Sequence, residues 1–116
     1  MTEPPSKLER RIYAAEKLGE QWAELHAKYL QLDEDKKSFL SSIMNDLDNG
    51  SMSETKLERL ARGSKAFRDY VVNLALAKGE ELRAKVRYDN AQALFSAAQS
   101  DQSLERTKMA YLNHIP

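Results

Sequence analysis

Two ladders of apolar positions, spaced alternately three and four residues apart, run toward each other along the chain and meet at Asn49-Gly50. The first reads Ala15, Leu18, Trp22, Leu25, Tyr29, Leu32, Lys36, Phe39 and Ile43. The second reads Leu57, Leu60, Ser64, Phe67, Val71, Leu74, Lys78, Leu82 and Val86. A repeat averaging about 3.5 residues keeps one stripe of a helix against a partner helix. A chain folded back at Gly50 would set Ile43 against Leu57, Leu32 against Phe67, Leu25 against Leu74 and Leu18 against Leu82. The expected fold is all-α: a long antiparallel helical hairpin, coiled-coil-like, with a C-terminal helical extension. The same heptads would also serve an extended parallel dimer, but the turn chemistry at Asn49-Gly50 favours the hairpin.

Punctuation residues set the expected boundaries of a single domain over residues 1–116. Helix one is expected over about 6–47, after Pro4-Pro5, with Ser6 as N-cap and Glu9 completing a capping box. At 1.5 Å per residue that is about 60 Å. A turn over 48–52 follows, with Ser51 or Ser53 capping helix two, expected over about 53–99; Glu54, three residues after Ser51, is a second capping-box match. Ser100 to Ser103 is either a turn or a polar stretch of one continuing helix, before a helical tail over about 103–113 carrying Leu104, Met109, Tyr111, Leu112 and, beyond it, Ile115. Past Leu74 the second ladder proceeds on four-residue steps, a slip expected to unwind the pairing locally. Lys36 and Lys78 occupy ladder positions, where a lysine fixes register at a cost in stability, and Trp22 stands opposite Lys78 as a cation–π partner with Gly79 making room for the indole.

Composition narrows the chemistry. The 116 residues contain no cysteine, which removes disulfides, thiolate metal sites and cysteine nucleophiles together. No apolar run is long enough to cross a membrane, and Met1-Thr2-Glu3-Pro4-Pro5 is no secretion signal, so a cytoplasmic location is expected. His26 and His114 stand apart from other metal-ligating residues, and Asp33-Glu34-Asp35 reads as a solvated face. In Asp46 to Gly50 the glycine is one position early for a calcium loop. No catalytic residue, metal or cofactor is expected. The net charge of zero hides an asymmetry: residues 1–50 carry 7 Lys/Arg against 10 Asp/Glu, and residues 51–116 carry 11 against 8. The two arms thus have opposite sign, which favours their pairing.

The basic residues are the candidate site. Lys56, Arg59, Arg62, Lys65 and Arg68 recur every three residues and wrap one side of helix two. They read either as a phosphate-tracking surface or as flank charges answering Asp33, Glu34, Asp35 and Asp46 on helix one. Arg83, Lys85 and Arg87 with Tyr88 form a second group, suited to single-stranded bases or to a snorkelling helix face. Phe95, Leu104, Met109, Tyr111 and Leu112 extend past the paired region and are expected to mediate self-association.

The order of features resembles small all-helical proteins encoded near recombination genes in tailed phages. The residues that carry the resemblance are Asp33 to Ser38, the Leu57 to Ala61 segment Leu-Glu-Arg-Leu-Ala, Phe67 with Tyr70, Arg83 to Tyr88, Phe95, and Ser103-Leu104-Glu105-Arg106. Such proteins are distantly similar to the recombination mediator of T-even phages. The resemblance implies a non-enzymatic, oligomeric accessory in single-stranded DNA recombination, acting in the bacterial cytoplasm, whose helix-two cations touch DNA. The alternative is a protein-binding adaptor, or a phage-encoded inhibitor of a host protein, acting through its coiled-coil surface.

Overall fold

In the computed structural model, which describes residues 3–114, three α-helices follow one another: α1 (Lys7–Leu47), α2 (Glu54–Arg62) and α3 (Lys65–Asn113). No strand occurs among the described residues, and the architecture is an all-α helical hairpin in which segments of α1 and α3 run antiparallel. Met1 and Thr2, and Ile115 of the apolar tail, lie outside the described residues. The chain separates into two compact units: a turn unit, Glu24–Leu82, and a terminal unit made of the segment up to Ala23 with that from Arg83 onward.

Ser6 caps α1 as its sequence position predicts, its Oγ accepting from the Glu9 N–H at 3.1 Å. In the turn unit, α1 ends where Asp48 and Asn49 fold their side chains back onto the chain: Asp48 Oδ1 accepts from the Gly50 N–H at 2.9 Å, and Asn49 Oδ1 from the Ser51 N–H at 3.0 Å. Gly50 takes a left-handed φ of 83°, which a Cβ would penalise. Ser53 then caps α2 through the Lys56 N–H. The Ser51 hydroxyl is used differently, donating to Asn49 Oδ1 at 2.7 Å, so the capping box expected from Ser51 and Glu54 is not the one that starts the helix.

Helix two is not one helix over 53–99. Gly63 ends α2 with its N–H on the Arg59 and Ala61 carbonyls, and Ser64 opens α3, accepting from the Phe67 N–H at 3.2 Å while donating to the Ala61 carbonyl at 2.6 Å. Two helices therefore stand where one was expected up to Gln99, and α3 runs through Ser100 to Ser103 without a turn. The nine residues of α2 belong to the bend, and their buried Leu57 and Ala61 help close it. Leu40, Ala61 and Phe67 form the small core there, flanked by Phe39, Ile43 and Met44.

This break moves the register. Phe67 lies in the cluster of Leu40 rather than opposite Leu32, a displacement of about two helical turns. Farther along, Phe39 stacks on Tyr70 with ring centroids 4.6 Å apart, and the Lys78 ammonium lies 4.5 Å from the Tyr29 ring centroid. Tyr29, not Trp22, supplies the ring for that ammonium.

The inward rungs of α3 also differ from the expected ladder. They are Phe67, Tyr70, Leu74, Ala77 and Glu81 in the turn unit, then Ala84, Tyr88, Ala91, Phe95 and Ala98 in the terminal unit, all buried or half-buried. The three-four spacing never slips, so the expected local unwinding past Leu74 is absent. One alternate stripe is alanine at every seventh position from Ala77 to Ala98, and the other holds larger side chains. Such alternation of small and large lets facing residues interdigitate. Leu60, Val71, Leu82 and Val86, which the sequence ladder placed inside, are exposed, Val86 at 57% against 2% for Ala84. Chain hydrophobicity favoured the valines and leucines; close helix approach favours alanine, which gives up little side-chain entropy on burial.

In the terminal unit Trp22 stacks on Tyr88 at 5.9 Å between centroids and 18° between planes. Gly19 makes this possible, because a Cβ there would stand 2.9 Å from Tyr88 Cε1. Leu8 shares a groove with Ala98 and Leu104, farther along α3 than the expected Leu18–Leu82 pairing implies, so less of α3 overshoots α1 than the ladders implied.

Candidate functional site

The five cations of the first basic group lie where α2 and α3 meet solvent. Burial of Leu57 and Ala61 turns Lys56, Arg59 and Arg62 outward, and Lys65 and Arg68 flank the buried Phe67 at the start of α3. Their ion pairs are local: Arg62 with Glu58 at 2.9 Å and Lys65 with Asp69 at 3.0 Å, each one helical turn apart. Among the described residues, Lys56, Arg59 and Arg68 make no ion pair, and none joins this group to Asp33, Glu34, Asp35 or Asp46. Exposed pairs one turn apart are worth only a few tenths of a kcal/mol, about 0.3–0.5. They leave the cations available to a stronger anion.

The second basic group does not form one surface. Arg83 and Arg87 are one turn apart on the same side of α3, while Lys85 points about 200° around the helix from Arg83. Tyr88 faces inward, half-buried between Gly19 and Trp22, and its hydroxyl accepts from Gln92 Nε2 at 2.9 Å. Its ring face is taken by the indole, so the exposed Arg–Tyr stacking platform expected at Arg87 and Tyr88 is not formed.

A polar cluster inside the turn unit escaped the sequence reading. Glu81 stands on an inward rung between Ala77 and Ala84 and is only 3% exposed. Its Oε1 is 3.1 Å from His26 Nδ1 and its Oε2 is 3.2 Å from Lys78 Nζ, with the Tyr29 ring beneath the same ammonium. The tautomer with its proton on Nδ1 is the one that can donate to an ionised Glu81. The signal was in the chain: with the alanines taken as rungs, Glu81 is the one acid on the inner face between Phe67 and Ala98. Three rungs toward the bend, Tyr70 donates its hydroxyl to the Leu32 carbonyl, and burial, then the Asp35 and Asp33 carboxylates, push its phenol above the ordinary value.

Two grooves run along opposite flanks of the α1–α3 pair in the terminal unit. One has an aromatic floor of Trp22, Tyr88 and Phe95, with Glu16 and Glu20 as its charged lining. The other is floored by Leu18 and Ala91, with Arg11 and Arg87 as its charged lining. Of the residues expected to mediate self-association, Phe95 lines the first groove, Leu104 packs near Leu8, and Met109, Tyr111 and Leu112 are exposed on the last turns of α3. Among the described residues no group of histidines and carboxylates is placed to hold a metal ion, and no helix is long and apolar enough to cross a membrane. No family model, curated protein or solved structure matches the chain.

Proposed function

We propose that this chain is a non-enzymatic, self-associating accessory protein that binds single-stranded DNA, of the kind phages and prophages use in recombination in the bacterial cytoplasm. The observation that carries this reading is the set of cations on the solvent side of α2 and the first turns of α3, of which Lys56, Arg59 and Arg68 have no carboxylate partner among the described residues. Their spacing suits successive phosphates, and the local pairs at Arg62 and Lys65 are weak enough for phosphate to displace. The resemblance of the chain to recombination-associated phage proteins supplies the preference for single strands.

Titration of a fluorescent single-stranded oligonucleotide tests it. With about five phosphate contacts and a slope of about −0.7 per contact for single strands, affinity falls about 100-fold between 50 and 200 mM salt. Lys56→Glu, Arg59→Glu and Arg68→Glu together abolish the interaction while helicity is retained. Absence of binding at 50 mM salt, or binding that survives the triple substitution, overturns the reading. The exposed apolar side chains at the end of α3, Met109, Tyr111 and Leu112, favour a second reading, a protein-binding adaptor or inhibitor. That reading predicts a partner interaction indifferent to salt and lost on Tyr111→Asp.

A further inference from the structure

The accessible surface of the chain is 9100 Å² for a mass of 13.3 kDa. A folded monomer of that mass exposes about 6,500 Å² by the scaling of globular proteins. The surplus, about 2,600 Å², is roughly three times the 800 Å² that each partner contributes to a standard stable interface. Among the described residues no large side chain is buried below 2% exposure, so the hairpin interior is shallow and much apolar surface remains outside it.

The terminal unit offers two surfaces of opposite sign for this purpose. Helical phase puts Ile12 and Gly19 on one flank of the α1 seam and Ala14 on the other, so the two grooves face away from each other. The aromatic groove carries two carboxylates and no cation in its lining; the aliphatic groove carries two guanidiniums and no carboxylate. Arg11 sits half-buried at the inward edge of its groove and, like Arg87, makes no ion pair among the described residues. Beside each charge stands an exposed aliphatic knob, Ile12 on the acidic side and Leu94 on the basic side.

We infer that the occupant of each groove is a second copy of this chain: the Arg11–Arg87 flank of one copy docks on the Glu16–Glu20 flank of the next. Leu94 enters the aromatic groove beside Trp22 and Tyr88, and the guanidiniums meet the neighbour's carboxylates at the rim. Because the two flanks differ and lie on opposite sides, the contact is head-to-tail, and it propagates into a ring or an open array rather than stopping at a two-fold dimer. The inference deepens the self-association in the proposed function and stands apart from DNA binding.

Charge reversal tests it in the absence of DNA. One variant carries Glu16→Lys and Glu20→Lys, so both of its flanks are basic. The other carries Arg11→Glu and Arg87→Glu, so both are acidic. By light scattering the unmodified chain has a mass that is a multiple of 13.3 kDa, above a dimer, and each variant alone falls to 13.3 kDa. An equimolar mixture reassembles into oligomers above a dimer, since every interface between unlike variants is again opposite in sign. Circular dichroism confirms that each variant is folded. If Arg11→Glu unfolds the chain, Glu20→Lys and Arg87→Glu, both at exposed positions, replace the double variants. A monomeric unmodified chain, variants that keep the original mass, or a mixture that stays monomeric overturns the inference. DNA binding is read in a separate titration, so either conclusion can fail without the other.

Discussion

Removing the acid and removing the bases of the Glu81 cluster are expected to have opposite effects. The carboxylate is the desolvated member, 4% exposed as a side chain, while His26 and Lys78 are 40% and 43% exposed and can turn to water. Deleting both nitrogens strips a buried charge of two hydrogen bonds. Breaking buried pairs in this way costs about 3–5 kcal/mol. His26→Ala with Lys78→Ala should therefore destabilise the fold by about 3 kcal/mol or more. Glu81→Met should be neutral or stabilising by about 1 kcal/mol, because it removes the desolvation penalty and puts an adaptable apolar side chain on the buried, inward face of α3. In the Glu81→Met background the two alanines should cost less than about 1 kcal/mol, the loss of partly exposed packing. Urea denaturation at one fixed protein concentration, followed by helical circular dichroism, measures all four corners of the cycle. Equal cost of the alanines in both backgrounds would refute the reasoning, and so would a large loss on Glu81→Met.

Three further outcomes follow from the packing and electrostatics. Gly19→Val should destabilise by about 1–3 kcal/mol and shift Trp22 fluorescence, because the new side chain displaces Tyr88 from the indole; unchanged emission would contradict the stack. Ala84→Leu should cost a similar amount, about 1–3 kcal/mol, whereas Leu82→Ser on the same helix should change thermal stability little; the reverse order would restore the original ladder. Tyr70 has a raised phenol pKa in the fold, so its contribution is complete below the unfolded value near 10 and is lost as pH rises through the folded value. The unmodified protein should lose stability above about pH 10 more steeply than Tyr70→Phe, measured by denaturation across pH 8–12.

The helical character of the chain, the extent of α1, the Ser6 cap, the Asn49-Gly50 turn and the α1 ladder were all legible in the chain, because caps, glycine conformations and the 3.5-residue period are local properties. The basic stripe was legible too, since five outward cations follow from three-residue spacing on any helix that buries Leu57 and Ala61. What only the tertiary structure decided was which stripe of α3 faces inward and how far it slides along α1. Hydrophobicity alone ranks Val86 above Ala84 and cannot anticipate that a narrow gap between two helices selects the smaller side chain. The break at Gly63-Ser64 was not anticipated, since helix two was expected to continue from about 53 to 99. Its effect, setting Phe67 beside Leu40, depends on α2 being held in the bend by contacts distant in sequence. From that displaced register follow the burial of Glu81, the stacking of Tyr88 on Trp22 and the loss of an exposed aromatic platform, each set by partners that no local pattern names.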